Sequence, residues 1–257
     1  MCVHEMCVHE ILPICRSVVP VRTRNLSNLV KIPIIRTYHQ RTEFVPKIML
    51  TNVMSLVPKI DEVRILTSEN SFDLIFITET WLRESVCDTH ASILDYHLVR
   101  RDRYNGTHGG VCIYVRNSIF FKRLREIEHP DFEVLWTYIR PPRLPRGING
   151  IVSACVYHPP SSSNTDLFEY LSDSLTQLES LFPGCGIIIA GDFNHFDNKD
   201  LCRDFQLKQL IDKPTRGAKI LDLMLTNMHK FYDVQSIIAL SPFGLSDHNV
   251  MIVEPKV

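Results

Sequence analysis

Two short segments that lie far apart in the chain carry the kinds of residue that hydrolytic chemistry uses. The apolar run 187–190 leads into Gly-Asp-Phe-Asn at 191–194, and Ser-Asp-His stands at 246–248. A carboxylate such as Asp247 can fix the tautomer of the neighbouring His248 ring and favour its protonated form. A ring held in this way can donate a hydrogen bond to a phosphoryl oxygen as negative charge builds there. The two segments therefore predict the two halves of a hydrolytic site.

Several other apolar runs also end in a polar residue. They end at Asn52, Glu79 and Tyr157, in the same way that the run 187–190 ends at Asp192 and Asn194. Side chains at neighbouring strand ends converge on one rim of a sheet, where the scaffold holds them rigidly. Carboxylate and amide oxygens suit Mg²⁺, with Mn²⁺ as the alternative, better than they suit zinc. The pattern predicts a preorganised cation site with room for a phosphate.

A sheet is needed to position these residues, and the hydrophobic pattern predicts one. An apolar stripe from Leu167 to Leu181 predicts a helix, with Asn164 or Thr165 as its cap and an end at 183–184. Many strands with few helices predict an α+β sandwich, in which two sheets pack face to face under helical cover. A second segment with helical spacing is 57–68, and the runs that predict strands are 48–50, 74–77, 111–115, 134–139, 151–156, 187–190, 221–225, 237–240 and 250–253.

The composition separates a basic leader from an acidic body. The 257 residues carry a net charge of −1, but residues 11–42 hold six basic residues and no acid, whereas residues 43–257 carry a net charge of −5. We predict a disordered or poorly ordered, Arg-rich leader over 1–45 and one domain over 46–257. A solvated linker is the favoured interpretation of the leader, with a targeting segment or a nucleic-acid-binding arm as alternatives. No stretch approaches the ~18–20 apolar residues of a membrane span.

The cysteines predict neither a disulfide framework nor a zinc site. The chain opens with the sequence Met-Cys-Val-His-Glu twice, and the spacing of Cys2, His4, Cys7 and His9 matches no zinc pattern. The eight cysteines are sparse and include no Cys-x-x-Cys pair. We therefore expect a protein that is not secreted and that works in a reducing compartment.

The residues at the strand ends occur in an order that resembles a known family. The chain is similar to the endonuclease/exonuclease/phosphatase superfamily, and within it to the endonuclease domain of non-LTR (LINE-type) retrotransposons. The resemblance covers 47–257 and implies a four-layer α/β-β/α sandwich of two packed mixed sheets with outer helices. Six blocks carry it, namely Asn52, Thr78–Leu82, Tyr157–Pro160, Gly191–Asn194, Pro214–Arg216 with Leu221–Leu223, and Ser246–His248.

This resemblance implies a role for each matching residue in hydrolysis. Asp192 would orient and deprotonate the attacking water, and His248, supported by Asp247, would stabilise the transition state. Tyr157 would contact the scissile phosphate, and Asn194 would bind that phosphate and help to place the water. The metal ligands would be Glu79, Asn52 and Asp247. Asp222 would orient a neighbouring catalytic side chain, and the substrate-binding positions would be Thr215, Ser246, Arg103 and Arg216.

The resemblance also implies the overall activity. We expect a Mg²⁺-dependent endonuclease that nicks DNA and leaves a 3′-hydroxyl and a 5′-phosphate. The alternatives are a phosphomonoesterase acting on a small phosphate ester, and a catalytically idle retrotransposon remnant that serves as a binding module. We expect a monomer that acts on DNA without a membrane, with the nucleus as its favoured location. We expect the chain to be a fragment of a retrotransposon, the product of a truncated gene or a domain adopted by its host, and a reverse transcriptase encoded elsewhere is its expected partner.

Overall fold

The computed structural model describes residues 17–18, 33–34, 43–104, 106 and 108–256. The chain divides into two units, Met1–Thr42 and Glu43–Val257. In the first unit, β1 (Ser17–Val18) pairs with β2 (Pro33–Ile34) in an antiparallel ladder. The other predictions made for the leader, including its disorder and the cysteine and histidine residues at 2–9, lie outside the described residues. The boundary at 45/46 stays a prediction.

The second unit contains every strand that the sequence predicts, each with bounds within one or two residues of the prediction. The structure adds three strands, at 96–101, 120–123 and 208–209, and a short helix at 199–204, whose sequences are too polar or too brief to predict. The strands are β3 (Ile48–Asn52), β4 (Leu74–Thr78), β5 (Tyr96–Arg101), β6 (Val111–Arg116), β7 (Phe120–Arg123), β8 (Glu133–Arg140), β9 (Ile151–Tyr157), β10 (Gly186–Asp192), β11 (Lys208–Gln209), β12 (Asp222–Thr226), β13 (Ile238–Leu240) and β14 (Val250–Val253), and the helices are α1 (Ile60–Asn70), α2 (Asn164–Leu181) and α3 (Lys199–Asp204).

Two mixed sheets, each of six strands in the described part of the chain, form this unit. One sheet has the order β13-β14-β3-β4-β6-β5, and the other has the order β11-β12-β10-β9-β8-β7. Only β3 with β4 and β9 with β10 pair in parallel in these described sheets; their other neighbouring pairs are antiparallel. The predicted sandwich of two packed mixed sheets is therefore confirmed.

Alternation along the strands explains why the sheets stack and why helices cover them. Ile48 and Leu50 of β3 pack into the cluster between the two sheets, whereas Met49 packs into the cluster on the α1 side. In β10, Ile188 faces the same central cluster, and Ile189 packs on the side of α2. A strand that is apolar on both faces must be covered on both faces. Each such aliphatic side chain contributes roughly 1.5–3 kcal/mol on burial.

Helix α2 connects this packing to the predicted site. Its apolar stripe, predicted from the sequence, is buried at Leu167, Leu171, Leu175 and Leu178. The predicted cap is wrong by one residue, because Ser163 Oγ accepts the Asp166 amide at 3.2 Å and caps the helix. Among the described residues, no helix is long and apolar enough to cross a membrane.

Candidate active site

Strand register brings three of the predicted residues side by side at one rim of the second sheet. Asp192, the last residue of β10, pairs with Tyr157 at the end of β9 and with Asp222 at the start of β12. Asp192 shares the parity of Ile188 and Ala190, whose side chains lie between the sheets. The carboxylate of Asp192 therefore points toward the other sheet. Asn52, the last residue of β3, points back toward it, because Asn52 alternates in step with Ile48 and Leu50, which lie between the sheets.

A glycine before Asp192 is required by the close approach of two strands. Gly191 has φ +152°, and a Cβ at this position would lie 1.8 Å from the carbonyl oxygen of Val156 on β9. No side chain can be accommodated against a backbone oxygen at that distance. The Gly-Asp pair thus reflects the packing of β10 on β9 as well as the chemistry of the carboxylate.

Asn52 joins the two sheets through a shared hydrogen-bond donor. Its Nδ2 donates to Glu79 Oε1 and to Asp192 Oδ2, both at 2.9 Å, and its Oδ1 accepts the Met54 amide at 3.1 Å. The other oxygen of Glu79 accepts Trp81 Nε1 at 3.2 Å. Two carboxylates that converge on one amide nitrogen form an oxygen-rich, negatively charged position, which suits a hard divalent cation. Asn52 turns its amide nitrogen toward this position, so Glu79 and Asp192 supply the oxygen donors that face it.

The surroundings of Asp192 make it an unusual carboxylic acid. The residue is 1 % exposed, its Oδ1 accepts the Asn194 amide at 3.0 Å, and its Oδ2 accepts the amide of Asn52. Burial raises the pKa of the Asp192 carboxyl to about 7, and the neighbouring charge of Asp222 adds to the rise. His248 and the two hydrogen bonds oppose that rise. A carboxyl with a pKa near neutrality can both accept and return a proton at physiological pH.

His248 lies between two carboxylates. Its Nδ1 is 2.7 Å from Asp222 Oδ2, and its Nε2 is 3.9 Å from Asp192 Oδ2. Burial lowers the pKa of the imidazole, but the hydrogen bond and charge of Asp222, with the charges of Asp192 and Asp247, outweigh burial and raise the pKa above its ordinary value. The ligand atoms of Asp192, Asp222 and His248 lie within 4.8 Å of one another, so this buried acidic cluster could hold a metal.

Asp247, which was predicted to support His248, acts on the imidazole through its charge and lies beyond hydrogen-bond distance of the ring. The nearest oxygen of Asp247 lies 3.8 Å from Nε2, while its other oxygen accepts Arg216 Nε at 2.7 Å. The side chain of Asp247 is 48 % exposed, whereas that of Asp222 is fully buried. The neighbouring position in the chain suggested Asp247, but the side chain of Asp247 points to Arg216. Asp222, which reaches the ring from another strand, is the carboxylate that orients it.

Two hydroxyl groups fix the backbone around this cluster. Thr215 Oγ1 accepts the amides of Leu221 and Asp222, at 2.9 and 3.1 Å. Ser246 Oγ donates to the carbonyl of Asn52 at 2.7 Å and accepts the His248 amide at 3.3 Å. Both hydroxyls are buried, and their bonds hold the residues that carry the chemistry, as expected of supporting hydrogen-bonders. Contact of Thr215 and Ser246 with substrate stays a prediction.

Asn194 and Tyr157 border the same cluster. Asn194 has a left-handed backbone with φ 49°, and its Nδ2 donates to the carbonyl of His158 at 2.8 Å. The asparagine is nearly buried, and it lines a cavity of about 550 Å³ with His195 and Arg216. Burial and the nearby carboxylate of Glu79 raise the pKa of the Tyr157 hydroxyl, which therefore stays protonated and able to donate.

Glu133 is a functional candidate that the sequence analysis missed. It lies opposite Tyr157 in the register of β8 and β9. Its carboxylate accepts the Gly110 amide at 2.5 Å and pairs with Arg103, whose guanidinium carbon lies 5.6 Å from the centre of the Tyr157 ring. The only signal in the sequence is a lone acid at the start of an apolar strand. Arg103 was predicted to bind substrate, and the structure shows its charge already compensated by Glu133.

The two arginines at the end of β5, just before Arg103, are paired as well. Arg100 forms ion pairs with Asp88 and Asp102, and Arg101 pairs with Glu128. These guanidinium groups stabilise the fold of the rim and do not add free positive charge. Tyr104, which follows Arg103 in the chain, is 98 % exposed.

The family model described as "Endonuclease/Exonuclease/phosphatase family" matches residues 49–248, which is most of the chain. The chain belongs to the endonuclease/exonuclease/phosphatase family. Members of this family depend on a divalent metal, in keeping with the acidic cluster found here. Comparison with curated protein sequences gave no significant match.

Solved structures of the endonuclease/exonuclease/phosphatase family share this fold. The endonuclease domain of TRAS1, a telomere-specific non-LTR retrotransposon, has a TM-score of 0.61 and 14 % identity, and the match covers 82 % of this chain and 99 % of that domain. The AP endonuclease of Leishmania major has a TM-score of 0.63 and 14 % identity, with 82 % and 92 % covered. The 3′ phosphatase NExo from Neisseria, bound to a product DNA hairpin, has a TM-score of 0.55 and 15 % identity, with 83 % and 100 % covered. The predicted family resemblance, including the likeness to a retrotransposon endonuclease domain, is confirmed.

Proposed function

We propose that this protein is a Mg²⁺-dependent endonuclease of retrotransposon origin that nicks DNA and leaves a 3′-hydroxyl and a 5′-phosphate. The observation that carries the proposal is the convergence, at one rim, of an acidic pair that faces Asn52 and a carboxylate–imidazole pair. Family membership supplies the reaction class, which is hydrolysis of phosphoric esters. The similar Neisseria phosphatase is bound to a product DNA hairpin, and the similar Leishmania protein is an AP endonuclease, which supports DNA as the substrate class.

The side chains divide naturally between proton transfer and charge stabilisation. Asp192, with a pKa of about 7, would accept the proton of the attacking water. His248, whose protonated form is favoured by Asp222, would donate from Nε2 to the phosphoryl oxygens as charge develops. Tyr157 would donate a hydrogen bond from its hydroxyl to the phosphate, and Asn194 would hold the carbonyl of His158 and the carboxylate of Asp192 in place.

Glu79, beside Asn52, is the carboxylate that would hold the cation on this proposal, and Asp192 is the carboxylate that accepts the proton. A divalent ion there would act as a Lewis acid and would neutralise charge on the phosphate. The trio Asp192, Asp222 and His248 is the other possible position. We assign that trio to proton handling because Asp222 Oδ2 forms a short bond with His248 Nδ1. The atoms left there for a cation are Asp222 Oδ1, which has no hydrogen-bond partner, and His248 Nε2.

Cavities on both sides of the site favour an extended substrate over a small one. One of about 550 Å³ is lined by Asn194, Arg216 and Asp247, and another of about 260 Å³ is lined by Glu133, Tyr157 and Ser163. A small phosphate ester would fill only one of them. A nucleic acid chain that places one phosphate at Asp192 would extend into both.

Nicking of supercoiled plasmid by the purified full chain tests the proposal. We expect relaxed circles with Mg²⁺ and none with excess EDTA, and we expect a DNA polymerase to extend the nicks directly, because they end in 3′-hydroxyls. p-Nitrophenyl phosphate serves as the matched small ester. Hydrolysis of that ester with the plasmid intact would support the phosphomonoesterase alternative. A folded protein that binds Mg²⁺ and cleaves neither would support the idle remnant.

Tyr104 should contribute to substrate binding and not to the chemical step. It is a fully exposed aromatic residue next to Arg103 at the rim of the site, and a stacked base is worth about 1–3 kcal/mol. We therefore expect Tyr104→Ala to raise KM for DNA by about tenfold and to leave kcat within about twofold. Steady-state nicking of a labelled duplex measures both constants. Phe120→Ala is the matched control, because Phe120 is also an exposed aromatic residue and lies on β7. Tyr96 would be unsuitable, because its hydroxyl donates to the carbonyl of Phe72.

The proposal carries two further expectations. A nuclease of this kind acts where chromosomal DNA lies, so we propose a nuclear location. A retrotransposon role would make a reverse transcriptase its functional partner, and that enzyme would extend the 3′-hydroxyl which the nick leaves. Imaging of the tagged protein addresses the first expectation, and co-purification with a reverse transcriptase addresses the second.

A further inference from the structure

A buried lysine outside the predicted site contacts both of the loops that carry it. Lys59 is only 8 % exposed, and its Nζ donates to three successive carbonyls, those of Val53 at 2.7 Å, of Met54, and of Ser55 at 3.4 Å. These carbonyls belong to the loop that follows Asn52. An ammonium group has three donors, and here all of them are used within one loop. Among the described residues Lys59 forms no ion pair, and Glu62 is the carboxylate whose charge acts on its ammonium group.

The loop that Lys59 holds has an unfavourable backbone. Met54 and Ser55 have φ angles of 43° and 79°, in the left-handed region that non-glycine residues seldom adopt. Such conformations persist only where the surrounding contacts impose them. Three carbonyls that point inward onto one ammonium are contacts of that kind. Without the ammonium group, the three carbonyls would lose their hydrogen-bond donor, and the contacts that impose the left-handed backbone of the loop would be gone.

The same loop fixes the two residues that surround the proposed cation position. The Met54 amide donates to Asn52 Oδ1, which sets the direction of the Asn52 side chain. The Ser55 amide donates to the carbonyl of Glu79 at 2.9 Å, and the Leu56 amide donates to that of Thr80 at 2.9 Å. Glu79 itself has a left-handed backbone with φ 51°. A change in the loop would therefore move both Asn52 and Glu79.

The aliphatic part of Lys59 contacts the second loop. Gly244 has φ +48°, and a Cβ at this position would lie 3.0 Å from Lys59 Cε and 3.4 Å from Cδ. Gly244 stands two residues before Ser246, whose hydroxyl donates to the carbonyl of Asn52. The Gly244 amide is held by Glu62 of α1 at 3.0 Å. The lysine thus fills the space between the Asn52 loop and the loop that leads into Ser-Asp-His.

We infer that Lys59 is a positioning residue that holds the Asn52 loop and the 244–248 loop in the arrangement that binds the divalent cation. The inference rests on the proposed function for the identity of the cation. Lys59 does not touch the site itself. It acts through the backbone of residues 53–55 and through its packing against Gly244.

The test uses Lys59→Met, which keeps the length and apolar packing of the side chain and removes only the ammonium. Lys47→Met is the matched control, because Lys47 precedes the other end of β3 and pairs with Glu254. Mg²⁺ binding to the full chain is measured by calorimetry, and amide hydrogen exchange is measured without metal. We expect Lys59→Met to weaken Mg²⁺ binding by about tenfold or more. We also expect the amides of Ser55 and Leu56 to exchange faster in Lys59→Met, while the β9 amides of that variant exchange as in wild type. Lys47→Met should match wild type in both Mg²⁺ binding and hydrogen exchange.

Two results would overturn the inference. One is a folded Lys59→Met protein with normal Mg²⁺ affinity and slow exchange at Ser55 and Leu56. The other is a uniform acceleration of exchange across all strands, which would indicate general destabilisation only. If Lys59→Met does not fold, Gly244→Ala is used in its place, because the added Cβ would press on Cε of the Lys59 side chain. Unchanged hydrogen exchange in the Asn52 loop of that variant would then overturn the inference. A wild-type chain that neither binds Mg²⁺ nor nicks DNA would contradict the proposed function, while the exchange data would still decide the role of Lys59.

Discussion

Replacing Asp192 by asparagine is expected to reduce DNA nicking by about 10³-fold or more and, at the same time, to stabilise the protein. The loss of activity follows from the loss of a proton acceptor whose pKa, about 7, suits it to take a proton from water. Asparagine has nearly the same shape and can still accept a hydrogen bond from Asn52 or Asn194. The expected defect is therefore chemical and does not require a change of fold.

The gain in stability follows from the cost of holding a carboxylate at this place. Burial and Asp222 raise the pKa of Asp192 from an unfolded value of roughly 3.9 to about 7. A carboxyl with a raised pKa favours the folded state while it is protonated, and that benefit is lost as the pH rises through the folded pKa. Wild type should therefore lose stability between pH 4 and pH 7 relative to a variant that lacks the ionisable group. The upper bound on this loss is about 4 kcal/mol.

Both effects can be measured on the same preparations. Single-turnover nicking gives the loss of activity, and urea unfolding in EDTA at pH 5 and pH 8 gives the free energy of unfolding. We expect the difference between Asp192→Asn and wild type to grow toward pH 8. Asp204→Asn is the matched control, since Asp204 is exposed on α3 and pairs with Arg203. Equal activity of Asp192→Asn and wild type would exclude Asp192 as the base, and a pH-independent stability difference would show that its pKa is ordinary.

The sequence predicts the strands of this fold well because each strand is a short, strongly apolar run. Runs such as 74–77 and 187–190 end abruptly at polar residues, so the candidate residues Glu79 and Asp192 follow from the same pattern. The short strands β7 and β11 escape prediction because their residues are partly exposed, and their pairing with β8 and β12 is decided by tertiary contacts.

The partners of the candidate residues are harder to predict than the residues themselves. Glu133 meets Arg103 and Tyr157 only because β8 lies beside β9, and Lys59 reaches the site only through a loop with left-handed backbone. Neither relation leaves a periodic trace in the chain. Sequence neighbours are the default guess for a partner, and at His248 that guess selected Asp247. The family resemblance gave Asp222 the role of orienting a neighbouring catalytic side chain. The register of β12 identifies that side chain as His248, since the side chain of Asp222 points between the sheets as Met224 does.

Asp222→Asn is expected to reduce nicking on the order of 10²–10⁴-fold, as the loss of a carboxylate that orients a catalytic histidine does elsewhere. Asp222 Oδ2 lies 2.7 Å from Nδ1 of His248, and the residue is fully buried. An asparagine oxygen can still accept from Nδ1, but it carries no charge to stabilise the imidazolium. The pKa of His248 should therefore fall. Imidazole NMR titration, with His248→Gln to identify the signal, measures the pKa, and nicking rates measure the activity.

Asp247→Asn is the matched comparison that separates the two candidate partners of His248. Asp247 is about half exposed, lies 3.8 Å from Nε2 and pairs with Arg216. Its charge is partly screened by water and already offset by the guanidinium, so we expect a loss of about tenfold or less. Equal losses of activity in Asp222→Asn and Asp247→Asn would contradict the conclusion that Asp222 is the more important partner of His248. They would mean that the pair of Asp247 with Arg216 opens when DNA binds, releasing a carboxylate to the imidazole and a guanidinium to the phosphate.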